Sequence, residues 1–247
     1  MKLHRPHVRV PLVAAVMCAA PVTVCVAEGS WTAGLSATSD YVLRGVSQTD
    51  SNPALQGTVV YESAGGWYAG VWGSSLDKTE WYYPAGTAAV EIDAFAGRRM
   101  PIDEAWSGDL KVVRYVYPGD GDVLDYDYTE VEASISYRDV ARASVAWSPD
   151  ASMVTRQGLM ENEHTVAYEL ALQHPILDWL EVTAGVGYRD LPTFESGGYG
   201  YWSLGLTARR GPLSVDLARF GTDADGRALF GSHLAGDRTV VSLGWTF

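Results

Sequence analysis

Apolar and polar residues alternate along most of the chain with a period of two, which places successive side chains on opposite faces of an extended strand. The alternation is cleanest where Thr129, Val131, Ala133, Ile135 and Tyr137 oppose Tyr128, Glu130, Glu132, Ser134 and Ser136. It begins with Trp31, Ala33, Leu35 and Ala37 against Thr32, Gly34, Ser36 and Thr38. Carried on to residue 46, that register puts Tyr41 and Leu43 on the apolar face and Asp40 and Arg44 on the polar one. Further runs oppose Leu55, Gly57, Val59 and Tyr61 to Gln56, Thr58 and Glu62, and Ala88, Val90, Ile92 and Ala94 to Glu91, Asp93 and Phe95. Trp67 to Ser75 reads as a strand of open facing, because both parities carry a tryptophan, and residues 109–117 read as a strand with Arg114 inside. The later runs set Ala141, Ala143, Val145 and Trp147 against Arg142, Ser144 and Ser148, and Val166, Tyr168, Leu170 and Leu172 against Thr165, Glu169 and Gln173. Then Leu180, Val182, Ala184, Val186 and Tyr188 oppose Glu181, Thr183 and Arg189, Trp202, Leu204 and Leu206 oppose Tyr201, Ser203, Thr207 and Arg209, and Leu213, Val215 and Leu217 oppose Ser214 and Asp216. The last stretch sets Thr239, Val241, Leu243, Trp245 and Phe247 against Arg238, Val240, Ser242, Gly244 and Thr246.

These runs predict about twelve antiparallel strands in an all-β fold. Turn sequences separate them at 63–66, around Pro101, at 138–140 and at 211–212, while longer polar stretches fall at 76–86, 118–127, 149–162, 189–198 and 221–236. Two architectures could use such ribbons. A soluble sandwich would turn the apolar faces inward. A transmembrane barrel would turn them out to lipid, around a polar lumen, with an even strand number, short turns at one end and longer loops at the other. The polar faces decide between them, because so many charges could not be buried in a dry core without heavy desolvation. The barrel therefore predicts a lumen lined by Asp40, Arg44, Glu91, Asp93, Arg114, Glu130, Glu132, Arg142, Glu169, Arg189, Arg209 and Asp216. Glycine and serine share that face at Gly34, Ser36, Ser134, Ser144, Gly185 and Gly205 and leave room. Asp40 and Arg44, two inward steps apart, would either frame a constriction or pair to anchor the first loop. Seven acids against five arginines in this set lean towards cations.

The first residues change the picture of where the chain goes. Lys2, Arg5 and Arg9 precede an apolar run from Pro11 to Val26, and Cys25-Val26-Ala27 offers small residues for a signal peptidase. The reading is a secretory signal over 1–27, cleaved before Glu28 or alternatively after Ala20, followed by a barrel domain over 28–247. Both cysteines, Cys18 and Cys25, fall in the removed part, and neither sits in a lipoprotein context. Removal takes three of the 18 basic residues and none of the 30 acidic ones, leaving a formal charge of −15, which disfavours nucleic acid as a partner. Nine tryptophans and 14 tyrosines suit strands crossing membrane interfaces.

A family resemblance sharpens this. Ser39-Asp40-Tyr41-Val42-Leu43-Arg44-Gly45-Val46-Ser47-Gln48-Thr49, then Pro53-Ala54-Leu55-Gln56-Gly57 and Trp67-Tyr68-Ala69-Gly70-Val71-Trp72, resemble the TorF-like family of outer-membrane porins, proteobacterial proteins long catalogued as of unknown function. The likeness continues through Glu91-Ile92-Asp93, Tyr115 to Gly119, Asp127-Tyr128-Thr129-Glu130-Val131 and the last strand. It implies an outer-membrane location in a Gram-negative bacterium and passage of small hydrophilic solutes, without naming a solute. Outer-membrane barrels also end on an aromatic strand read by the barrel-assembly machinery, which here implies Val241, Leu243, Trp245 and Phe247 as the assembly signal. Lipid and lipopolysaccharide are the expected surroundings; no cofactor or metal is implied, and oligomeric state stays open.

Other chemistry finds less support in the residues. The histidines after the signal, His164, His174 and His233, lie near strand ends or in loops, and no G-x-S-x-G or H-E-x-x-H occurs, so the reading is not an enzyme. Asp120-Gly121-Asp122 and Asp223-Ala224-Asp225-Gly226 are fragments of calcium-loop spacing without a full ligand set. The alternatives to a conducting lumen are a structural or adhesive barrel whose charges pair off and plug it and, with less support, an outer-membrane lipid-modifying enzyme.

Overall fold

The computed structural model describes residues 29–76, 89–119 and 125–247; the signal segment, its cleavage sites, Ala88, and the Asp120 and Asp122 pair lie outside them. Barrel strands β1 (Ser30–Thr38) and β4 (Ala54–Glu62) flank a small ribbon of β2 (Val42–Leu43) and β3 (Val46–Ser47). The wall continues through β5 (Trp67–Ser75), β6 (Val90–Pro101), β7 (Trp106–Val116), β8 (Tyr128–Tyr137), β9 (Ala141–Thr155), β10 (Gly158–Leu177), β11 (Leu180–Asp190), β12 (Gly198–Arg210) and β13 (Leu213–Thr222). Two short helices, α1 (Ala224–Phe230) and α2 (Ser232–Ala235), precede β14 (Arg238–Thr246). Each barrel strand pairs antiparallel with its neighbour in order, and β1 pairs with both β4 and β14, closing a twelve-stranded barrel without an edge.

The alternation reads directly onto this wall. Leu35, Leu55, Val71, Leu110, Ile135, Leu170, Val186, Leu204, Leu217 and Leu243 all stand exposed on the outside, and their strand neighbours point in. A continuous apolar exterior of this extent is what hydrocarbon, and not water, stabilises. At one end the strands join through brief turns at 63–66, 102–105, 138–140, 178–179 and 211–212; at the other they join through longer links or longer strands. These are called the turn end and the loop end.

Three sequence expectations change. The stretch 149–162 is not a loop: β9 and β10 run on to a hairpin at 156–157, through register shifts near Glu163, and its polar composition reflects a ribbon wet on one face. The other face carries Met153 and Met160, which pack with Leu229, Phe230 and Leu234 of the two helices over the loop end. The opening strand stops at Thr38, so Tyr41 is not on the lipid side; it is buried inside the barrel. The chain leaves the wall because the Asp40 carboxylate gathers the hydroxyls of Ser47 (2.6 Å) and Thr49 (2.9 Å), a local competitor to the ladder. Arg44 and Gly45 then turn the ribbon with φ of 49° and 80°, a two-residue turn with both residues in the left-handed region. At Gly45 a side chain would also meet Thr222 Cγ2 at 2.7 Å, so the ribbon rests closely against β12 and β13 as well. Finally, the open facing of β5 resolves with Trp67 outside and Trp72 inside.

Candidate functional site

The lumen is the candidate site, and its two halves are built differently. In the loop-end half the inward segment 39–49 crosses the barrel. Arg44 starts from the loop after β1, yet its guanidinium grips Glu130 on β8 in a two-pronged pair (2.9 and 3.0 Å) and approaches Glu169 on β10 at 3.7 Å. In the strand order β8 and β10 flank β9, the strand opposite β1, so one side chain ties the segment to the far wall. Tyr201 donates to Glu169 at 2.7 Å, which holds that carboxylate in place. The near side of the segment is tied by Asp40 to Arg238 on β14 at 2.7 Å. Tyr41 donates to Glu91 at 3.1 Å and meets Trp72 edge-on at 5.3 Å. Tyr115 and Tyr128 stack at 4.2 Å in the same half. Glu91 and Asp93 face inward one step apart on β6, Glu91 fully buried, and Arg189 is buried a rung nearer the helices than Glu169, opposite Ala167 and Tyr199.

In the turn-end half the charges pair along the wall, and those on β4, β6, β7, β8 and β9 keep contact with water. Arg99 pairs with Glu62 and lies 3.6 Å from Asp109, with its guanidinium over the Tyr68 ring at 4.7 Å. Tyr68 donates to Asp109 at 2.8 Å. Lys111 reaches Glu132 at 2.7 Å, and Arg142 pairs with the same carboxylate from the other side. Arg209 meets Glu181 at 3.3 Å, and Thr207 donates to Asp216 at 2.5 Å. Side-chain exposure is 13% for Glu132, 19% for Arg142 and 36% for Glu62, against 5% and 3% for Arg44 and Glu130, although Glu181 and Asp216 are themselves buried.

Eleven of the twelve lumen candidates therefore project inward: Asp40, Arg44, Glu91, Asp93, Glu130, Glu132, Arg142, Glu169, Arg189, Arg209 and Asp216. Asp40 and Arg44 do so from the infolded loop, not from a strand, and they bind other residues instead of each other. Arg114 is a correction. It shares the outward parity of Trp106, Leu110 and Val112, and pairs outside with Asp150 (3.2 Å) and Asp127 (3.6 Å). The Val112-Val113 pair hides the parity, so the charge of Arg114 suggests the inward face although it sits outside, where the strand leaves the apolar zone. The inward cation of that strand is Lys111. Sequence reasoning also passed over Glu62, Arg99, Asp109, Glu181 and Arg238, although the polar parity already carried Glu62, Glu181 and Arg238. Val241, Leu243, Trp245 and Phe247 all face out.

The calcium-like fragment at Asp223 has a structural use: its carboxylate accepts from Gly226 N (2.9 Å), capping α1, and from Gly200 N (2.6 Å). Among the described residues, no group of three or more histidine, cysteine or acidic side chains could hold a metal ion.

The solved structure of NanC porin is similar over 88% of this chain and 99% of its own, at 7% identity and a TM-score of 0.56. That of KdgM porin is similar over 87% and 98%, at 6% identity and a TM-score of 0.52. At such identities the likeness concerns the fold alone, the closed antiparallel barrel described above. No curated protein matches the chain in sequence. A family described as bacterial protein of unknown function (Gcw_chp) matches residues 23–247.

Proposed function

Because the chain belongs to the Gcw_chp family of bacterial proteins, whose function is unknown, its activity has to be argued from its own geometry, and we propose a porin-like channel of the outer membrane that lets small hydrophilic solutes diffuse passively. In this reading residues 1–27 export the chain and are cleaved, and the barrel-assembly machinery inserts it with its turn end towards the periplasm and its loop end towards lipopolysaccharide. The TorF-like resemblance of residues 39–49 agrees with this reading. The observation that carries it is the hydrated ladder of the turn-end half: Glu62, Arg99, Asp109, Lys111, Glu132 and Arg142 stay in touch with water while pointing away from lipid. A purely structural barrel of this size could fill that space with apolar side chains at lower desolvation cost.

The segment 39–49 serves as the constriction, pinned by Arg44 to Glu130 and Glu169 and by Asp40 to Arg238. Its near-complete burial favours a second reading, a barrel plugged at the loop end. Planar-bilayer recording of the refolded chain separates the two. Discrete open steps from the unmodified protein support the channel. A silent wild type that conducts once residues 40–49 are replaced by a short glycine-serine link would assign the segment as a plug, and silence from both would refute transport.

A further inference from the structure

The outer surface carries two rims, and they treat their arginines differently. At the loop end two outward strand arginines are neutralised by the protein itself: Arg114 by Asp150 and Asp127, and Arg219 by Asp237 at 3.6 Å. At the turn end Arg98, Arg138 and Arg210 are exposed, and none forms an ion pair among the described residues. The turns at this end also hold the acids Asp103, Glu104 and Asp178, and among the described residues none of these three forms a salt bridge to Arg98, Arg138 or Arg210. Asp103 instead accepts from the backbone of Ala105 and Trp106 at 2.7 and 2.8 Å.

Each of the three stands by the girdle. Arg98 lies over the exposed Trp67 ring at 5.1 Å and Arg138 over Tyr137 at 5.4 Å. Arg210 is in register with Leu213, which is in register with Trp245. Trp31, Trp67, Trp106, Trp179 and Trp245, five of the nine tryptophans, ring this same end, all exposed. A guanidinium laid flat on an aromatic face keeps its N–H edge free, and that edge suits a phosphate diester. A cation at the border of the hydrocarbon also needs either water or an anion.

We propose that Arg98, Arg138 and Arg210 form three separate headgroup sites for anionic glycerophospholipid on the turn-end rim, with the neighbouring aromatic rings seating the glycerol and upper acyl chain. Among the described residues the outward strand arginines of the loop end, Arg114 and Arg219, are already paired with carboxylates and offer no such site. This assignment rests on the membrane reading, not on conduction, and it fixes orientation: the turn end faces the leaflet made of glycerophospholipid.

The test is lipid retention by the full refolded chain in native mass spectrometry, with phosphatidylglycerol and phosphatidylcholine supplied in equal amounts. Wild type should retain phosphatidylglycerol preferentially, and each Arg→Gln change at 98, 138 or 210 should reduce that preference, by about fivefold at a site near the surface. The R114Q/R219Q double variant should leave it unchanged, and R98K, which keeps the charge but not the planar fork, should fall between wild type and R98Q. Equal retention of the two lipids by wild type, an unchanged preference in R98Q/R138Q/R210Q, or full displacement by inorganic phosphate at moderate concentration would overturn the proposal. The heat-dependent shift of the barrel in electrophoresis checks that each variant has folded, and the three single variants carry the test if the triple does not. Failure of wild type to enter vesicles would refute the membrane reading itself, a different result from entry without lipid preference.

Discussion

Glu130 and Glu132 stand one inward step apart on β8, yet they live in different media. Glu130 is sealed and held by Arg44, a residue 86 positions away that arrives from across the lumen. Glu132 is wet and held by Lys111 and Arg142 from the two adjoining strands. The first pair exists only because a loop has folded inward; the second follows from strand register alone. The comparison separates two uses of the same chemistry. A buried ion pair, whose partners have both given up water, fixes where a segment sits, while a hydrated pair spends little on desolvation and sets the potential along a wall.

The largest effect should come from Arg44→Ala. It leaves Glu130 and Glu169 facing a cavity without their shared cation, and removing one partner of a buried pair costs about 3–5 kcal/mol. That loss falls on the docking of residues 39–49 and not on the wall, whose ladder is untouched. Urea titration followed by tryptophan fluorescence, which reports Trp72 beside Tyr41, should show a transition at lower urea than barrel unfolding, and single-channel conductance should rise. A single unshifted transition with unchanged conductance would show that Arg44 is not what holds the segment. Glu132→Gln should be milder in stability, about 1 kcal/mol or less for a hydrated pair. It frees Lys111 and Arg142 together, so the reversal potential in a salt gradient should move towards anions.

The same contrast explains how much could be read from the sequence. The outer wall was legible because lipid demands an apolar residue at every second position, and that demand is local: β8 and β14 give their facing in a single pass. Where a strand carries large residues on both parities the rule fails, as with Trp67 and Trp72, and only the partner decides: Trp67 meets lipid and Arg98, Trp72 meets Tyr41. The hydrated ladder was half legible, since parity placed Glu132 and Arg142 inside but did not say that Lys111 and Arg142 share the Glu132 carboxylate. The infolded segment was not legible. Its anchors join Arg44 to Glu130 and Asp40 to Arg238, the latter 198 positions apart, and no periodicity reports contacts of that range.

The smallest expected effect is also the sharpest test of parity. Lys111 and Arg114 lie on one strand three residues apart, one inside beside Glu132 and one outside between Asp127 and Asp150. An odd separation on a pleated strand means opposite faces, so neutralising each should have unequal consequences even though both remove one positive charge. Lys111→Gln takes a cation out of the hydrated wall and leaves Glu132 with Arg142 alone, so it should shift the reversal potential towards cations, opposite in sign to Glu132→Gln. Arg114→Gln removes a charge that faces away from the lumen and is already balanced by two carboxylates, so the reversal potential should stay where it is, with stability changed by no more than about 1 kcal/mol. Equal shifts from the two variants would mean that their charges act through the bulk solution at the mouth, and that the inward face of β7 does not line the route of the ions.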